Sequence, residues 1–210
     1  MAAPEQQALL IFPCNGNGVE ALDCLGPAYR VVGFVDDTPE KQNTKVHGHP
    51  VHRRDALQRW PDAHVLAVPG SPASFKLRAQ IIASLAIASD RYATVIHPSA
   101  RLSPLAVVGR NVLIMAGAVI TSNAIIGDHV IVLPNTVIHH DVTVGDWSLI
   151  GSNVTIAGNT VIGSNCYIGS GTSIMNGISV GDRALLGMGC NVIRDVSPGD
   201  RVAGNPARSL

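Results

Sequence analysis

From Ile96 to Val192 an aliphatic residue returns at every sixth position without a break, running through Leu102, Val108, Ile114, Ile120 and onward, seventeen in all. A period of six matches neither the 3.6-residue turn of a helix nor the simple alternation of a strand. It predicts short strands joined by bends and stacked as a β-solenoid. Four residues after each aliphatic stands a residue such as Ala100, Ala118, Thr136, Ser148, Thr160 or Cys190, with Ile178 the one bulky exception. Small side chains there fit a tightly turned inner wall. A second period runs at eighteen: Gly109, Gly127, Gly145, Gly163 and Gly181, mostly followed by Arg, Asp or Ser. Three hexapeptides then make one coil of a triangular prism. About six coils, at about 4.8 Å per stacked strand, give a tower roughly 28 Å tall, whose flat faces invite oligomerisation.

The preceding stretch has another texture. Ala8–Phe12, Arg30–Asp36 and Ala63–Val68 read as strands, and Gly18–Leu25, Arg54–Trp60 and Pro72–Leu85 as helices. This βαβαβ alternation predicts a small parallel, Rossmann-like α/β sheet over 1–95. Pro98-Ser99-Ala100 opens the all-β coil, assigned to 96–210.

Composition narrows the partners. Lys+Arg 15 against Asp+Glu 15 leaves no net charge, so no basic face is available for nucleic acid or anionic lipid. The apolar run Ala8–Phe12 is too short for a signal peptide or a bilayer span, and Met1 to Gln7 carry no basic leader. A cytoplasmic location is expected. Cys14, Cys24, Cys166 and Cys190 contain no C-x-x-C pair and read as small buried hydrophobes.

Two constellations carry chemistry. The turn Pro13-Cys14-Asn15-Gly16-Asn17-Gly18 follows the first strand, where glycines let backbone approach a phosphate-bearing ligand. Asp36 and Asp37 lie past the second strand, at a spacing from Gly16 that suits an acidic contact to a nucleotide's sugar or base. The same glycines could equally serve only the tight turn, with the aspartates in a solvated loop. The motif is not G-x-G-x-x-G, which argues against a dinucleotide. In the coil, His139-His140-Asp141 places two imidazoles beside a carboxylate. Counting by eighteen, His140 stacks between Ser122 and Gly158, so it has space on one side and a bare N–H nearby. An imidazole exchanges protons near neutral pH, and a carboxylate fixes its tautomer. A polar corner at a subunit contact would explain the same three residues. His47, His49 and His52 invite a zinc reading, but no Cys or distant His completes a set, and no metal is expected.

The residues Asn15-Gly16-Asn17-Gly18, Gly33-Phe34-Val35-Asp36-Asp37, Ile96-His97-Pro98-Ser99-Ala100, His140-Asp141, Ala157-Gly158-Asn159 and Gly204-Asn205-Pro206-Ala207-Arg208 together resemble the hexapeptide-repeat acyltransferases. Within them the likeness is to the sialic-acid O-acetyltransferase-like branch, which includes bacterial nucleotide-amino-sugar N-acetyltransferases of surface glycan biosynthesis. The resemblance implies a left-handed β-helix, a homotrimer, and acetyl-CoA as co-substrate in a groove between neighbouring prisms. It implies His140 as general base, Asp141 as its acidic helper where several relatives have Glu, and Gly158 as backbone donor to the thioester oxygen. Asn15, Gly16, Asn17, Asp36, Asp37 and Gly70 align with a nucleotide-sugar pocket, with Asn-Gly-Asn standing where relatives commonly have Ser-Gly-His. Leu149, Ser170 and Met188 fall where the acetyl-CoA groove is expected, through backbone contacts only. The implied reaction is N-acetylation of a nucleotide-linked amino-deoxy sugar. O-acetylation of a sugar hydroxyl and a non-catalytic β-helical scaffold are the alternatives.

Overall fold

The protein is described by a computed structural model covering residues 6–210; Met1 to Glu5, part of the stretch read above for a leader, lie outside the described residues. The chain opens as an α/β sheet of strands β1 (Gln7–Phe12), β2 (Tyr29–Val35), β3 (Lys45–Val46), β4 (His49–His52) and β5 (His64–Ala67). Their order is β3-β4-β2-β1-β5, with β4, β2, β1 and β5 parallel and β3 antiparallel to β4. The three expected strands are present, but the sheet has five. His47 and Gly48, at φ 48° and 82°, reverse the chain, and Val51 then pairs with Phe34 at the edge of β2. The segment carrying His47, His49 and His52 is therefore the turn and second strand of a hairpin.

The helices are shorter than the sequence suggests. Helix α1 spans Gly16–Glu20, two residues earlier than expected, because the Asn15 side chain caps it by accepting from Gly18 N at 2.9 Å. A 3-10 turn, Ala21–Cys24, completes it. Helix α2 covers Ala56–Arg59. The long helix expected over Pro72–Leu85 is a 3-10 turn, Phe75–Leu77, followed by helix α3 at Arg78–Ala83.

The remainder is a tower of two-residue strands in three parallel sheets, each strand paired in register with the one eighteen residues on, as in Val119↔Val137 and Ile120↔Ile138. The docking face holds Val95–Ile96, Leu113–Ile114, Ile131–Val132, Leu149–Ile150, Tyr167–Ile168 and Leu185–Leu186, closed at the bottom by Arg201–Ala203 and the antiparallel Arg208–Ser209. The inward ladder is buried from Ile114 downward, whereas Ile96, at the open upper end, is 39% exposed. Buried hydroxyls one column along donate to carbonyls fifteen residues later: Thr136 to Gly151 at 2.6 Å, Ser148 to Gly163 at 2.8 Å, Thr172 to Gly187 at 3.0 Å. They are polar groups in a dry wall, each satisfied. The eighteen-residue glycines answer crowding between coils: a Cβ on Gly127 would lie 2.3 Å from Asp146 Oδ1.

The bends obey a rule the aliphatic count did not reveal. Every sixth residue from Asn111 to Gly189, fourteen in succession, has positive φ. Asn, Gly and Asp hold most of these positions, as the left-handed region favours. His129, Trp147 and Arg183 are the departures.

The α/β unit sits on the docking face. Leu113, Met115, Ile131 and Leu149 turn outward from the coil and pack among Leu9, Ile11, Phe34 and Leu66. Asn111 reaches across to the end of β5, accepting from Ala67 N and donating to Ala67 O, both at 2.7 Å. All four cysteines are buried and unpaired.

Candidate active site

His140 and Asp141 occupy a bend between the two faces not covered by the α/β unit. This bend follows the strand Val137–Ile138 and precedes Thr143–Val144. The next bend of the coil, carrying His129 and Trp147 one coil apart, borders the docking face. So does the bend carrying Ser170 and Met188. A three-sided tower has one edge away from any face, and the histidine is on that edge.

His140 Nδ1 lies 2.7 Å from Asp141 Oδ2. Asn123, one coil above, donates to Asp141 Oδ1 at 3.0 Å. The carboxylate is thereby held by two donors, and the hydrogen bond from His140, then that from Asn123, keep its pKa below the ordinary carboxylate value. With Nδ1 engaged, Nε2 is the ring atom left to exchange a proton. Gly158 lies directly beneath the ring: a Cβ there would stand 2.6 Å from His140 Cε1 and 2.7 Å from Nε2. The Gly158 carbonyl accepts from Gly177 N, while its N–H has no acceptor among the described residues. At the Asp128 bend the equivalent N–H is taken up by Asp146 Oδ1 at 2.8 Å. Gly158 thus presents a free donor next to the imidazole. His139 stays in the coil's ladder, its N–H bonded to Ile156 O, and takes no part in this pair.

The expected nucleotide residues gather at the carboxyl ends of β1, β2 and β5. Asn17 Nδ2 donates to Val68 O and Gly70 O at 3.3 and 3.4 Å. Asp36 is almost fully buried. Its Oδ2 accepts from Cys14 N at 3.1 Å and Lys41 Nζ at 2.8 Å, and its Oδ1 from Thr38 N at 3.0 Å. Burial pushes the Asp36 pKa up, but the bonds from Lys41 and Thr38 outweigh it and the net shift is downward. Its oxygens therefore tie Cys14, just ahead of the Asn15–Gly18 turn, to the loop after β2. Asp37 pairs with Arg54, at 2.5 Å to Nε. Gly16 has open space around it, with nothing within 4 Å of a Cβ. Of the residues placed at the acetyl-CoA groove, Leu149 is buried under the Gly70 loop, Ser170 Oγ accepts from Ser152 N at 3.1 Å, and Met188 is 75% exposed. They do not meet His140 within one chain.

His47, His49 and His52 are spread along the hairpin, where His49 packs edge-on to Phe34 and His52 against Trp60. No cluster of His, Cys, Asp and Glu suited to a metal ion occurs among the described residues. Nor is any helix there long and apolar enough to cross a membrane.

Residues 105–139, 123–158 and 159–194 each match the family model described as bacterial transferase hexapeptide, six repeats. The tower thus carries bacterial-transferase hexapeptide repeats over residues 105–194. No curated protein sequence matches the chain. Among solved structures, the acetyltransferase domain of PglB from Neisseria gonorrhoeae, in complex with acetyl coenzyme A, is 28% identical, with TM-score 0.85 over 98% of this chain and 100% of that one. A variant of perosamine N-acetyltransferase from Caulobacter crescentus, in complex with CoA and GDP-perosamine, is 23% identical, with TM-score 0.86 over 100% and 99%. WeeI from Acinetobacter baumannii is 22% identical, with TM-score 0.82 over 98% and 100%.

The hexapeptide domain offers acid–base chemistry at an open edge: a carboxylate-oriented imidazole with a free backbone donor below it. Two parts of this arrangement escaped the sequence reading. Asn123 follows from the eighteen-residue stacking on Asp141. Lys41, bonded to both Asp36 and the Cys14 carbonyl, carries no motif and depends on how the 39–44 loop folds back.

Proposed function

We propose that the protein transfers the acetyl group of acetyl-CoA to the amine of a nucleotide-linked amino-deoxy sugar, with His140 as general base. The observation that carries this is the His140–Asp141 pair at 2.7 Å over a glycine whose N–H is free. The PglB and perosamine N-acetyltransferase structures, named with acetyl coenzyme A and with CoA and GDP-perosamine, support this choice of substrates.

The sugar amine attacks the thioester carbonyl and a C–N bond forms. His140 Nε2 takes the ammonium proton as the intermediate develops, and the Gly158 N–H donates to the oxyanion. When the C–S bond breaks, the imidazolium returns its proton to the departing thiolate. No acyl-enzyme is needed. Alignment of two large substrates contributes about 7–11 kcal/mol and the base about 10²–10⁴ in rate, so positioning outweighs proton transfer.

Residues 1–95 grip the nucleotide handle through the Asn15–Gly18 turn and the Gly70 loop, and 96–210 present the coenzyme along a left-handed coil. Because the histidine edge faces away from the α/β unit of its own chain, a neighbouring chain must bring its nucleotide turn to that edge, as a homotrimer of parallel towers does. His140→Ala should keep the trimer mass in light scattering and lose at least about a hundredfold in kcat. Full turnover by that variant would remove His140 from the reaction.

A further inference from the structure

We infer that Arg78 is a positioning residue for the nucleotide pocket: it ties the Pro69–Gly70 loop to two successive coils and so sets where the bound nucleotide lies. The inference rests on the function proposed above.

Arg78 is fully buried, and no carboxylate pairs with it among the described residues. Each of its three nitrogens donates to a backbone carbonyl instead: Nε to Trp147 O at 2.8 Å, Nη2 to His129 O, and Nη1 to Pro69 O. Burial pulls its pKa down to about 9, which leaves it charged at neutral pH. An unpaired buried cation is costly, so adhesion alone is a poor reason for it. The apolar cluster around Leu113 and Ile131 and the paired bonds of Asn111 to Ala67 already hold the two units together.

The coil is also altered to meet it. His129 and Trp147, one coil apart, stand in the left-handed conformation where the other bends mostly use Asn, Gly or Asp. Their rings stack at 5.9 Å with planes 5° apart, and both carbonyls turn to the guanidinium. Backbone strain of this kind persists only where the surroundings over-determine it.

From Pro69 the path leads to the ligand turn. Gly70, at φ 146°, leaves no room for a side chain: a Cβ would stand 2.9 Å from Arg78 Nη1 and 3.1 Å from Leu149 Cδ1. The Gly70 carbonyl accepts from Asn17, inside the Asn15–Gly18 turn. A planar group with three fixed acceptors defines an orientation that an ammonium cannot copy. Arg78 therefore aligns the turn with the tower and, through the trimer, with the histidine edge of a neighbour.

The test uses full-length wild type, Arg78→Lys and Gly70→Ala, with light scattering and thermal melting to confirm assembly, and with KM measured separately for a nucleotide amino sugar and for acetyl-CoA. Arg78→Lys keeps the charge but not the fork. It should assemble, raise KM for the nucleotide sugar at least about tenfold, and leave KM for acetyl-CoA within about twofold. Gly70→Ala, which pushes the loop off an intact Arg78, should act in the same direction. An unchanged sugar KM in Arg78→Lys overturns the inference, and so do both KM values rising together, as general loosening would cause. Wild type inactive on every nucleotide amino sugar would instead remove the proposed function and this inference with it. An active wild type beside an indifferent Arg78→Lys removes the inference alone.

Discussion

Asp141 has two duties that one substitution can separate. Its backbone holds a left-handed bend at φ 58°, as Asn123 and Asn159 do one coil above and below at 60°, while its carboxylate orients His140. Asparagine meets the first demand and fails the second. Asp141→Asn should melt like wild type yet lose at least about tenfold in kcat; equal activity would reduce the carboxylate to a structural acceptor for Asn123. Gly158 is the complementary case. Its φ lies outside the left-handed region, so alanine strains no backbone, but the added methyl collides with the imidazole edge. Gly158→Ala should lower kcat about a hundredfold by displacing the ring, with KM for the nucleotide sugar little altered. A crystal structure of the variant with His140 unmoved would refute that cause. The eighteen-residue spacing alone places Gly158 under His140, as the structure has it. The same spacing stacks Asn123 over Asp141, but its hold on the carboxylate carries no signal of its own, because Asn is common in bends.

Among elements, the coil was legible because each strand repeats one demand: an aliphatic inward every six residues. Ile150 is fully buried in that ladder. Ile150→Ala should cost about 2–5 kcal/mol by chemical denaturation, as deletion of a close-packed side chain does, whereas Ile96→Ala at the exposed upper end should cost a small fraction of this. Comparable losses at both sites would mean the ladder is not packed as described. The helices of the α/β unit were harder to bound. Their ends are decided by single caps such as Asn15, and by Pro72 keeping its neighbours in a turn. The hairpin at 45–52 leaves no periodic signal, because its strands are only two and four residues long, and His47 in a left-handed turn resembles any loop histidine.

For the molecule as a whole, the junction is where sequence reading stopped. Asn111, His129 and Trp147 stand eighteen residues apart and therefore stack along one edge of the coil, but nothing in the spacing of Arg78 reveals that it meets that edge, since it comes from the α/β unit and the contact exists only after both units form. The junction should make stability sensitive to acid. Burial first, with a contribution from Arg78, holds the His129 pKa below its ordinary value of 6.5, so the fold favours neutral imidazole. The unfolded chain binds the proton more readily, and stability falls as pH drops from about 6.5 through the folded pKa. Melting temperature should decline over that window and decline less in His129→Asn, which retains a residue tolerant of the left-handed bend. Identical slopes would remove His129 as the source.

The open upper end of the tower, where Ile96 is left partly uncovered, has a consequence for solubility. Its outermost strands, Val95–Ile96, Arg101–Leu102 and Val107–Val108, are only two residues long. They are separated by Pro98 and Pro104, which offer no N–H. A second tower seeking to add itself there would have to take the Arg101 guanidinium into its seam, and a charge on an outermost strand discourages end-to-end growth into fibres at a rim where parallel stacking would otherwise continue.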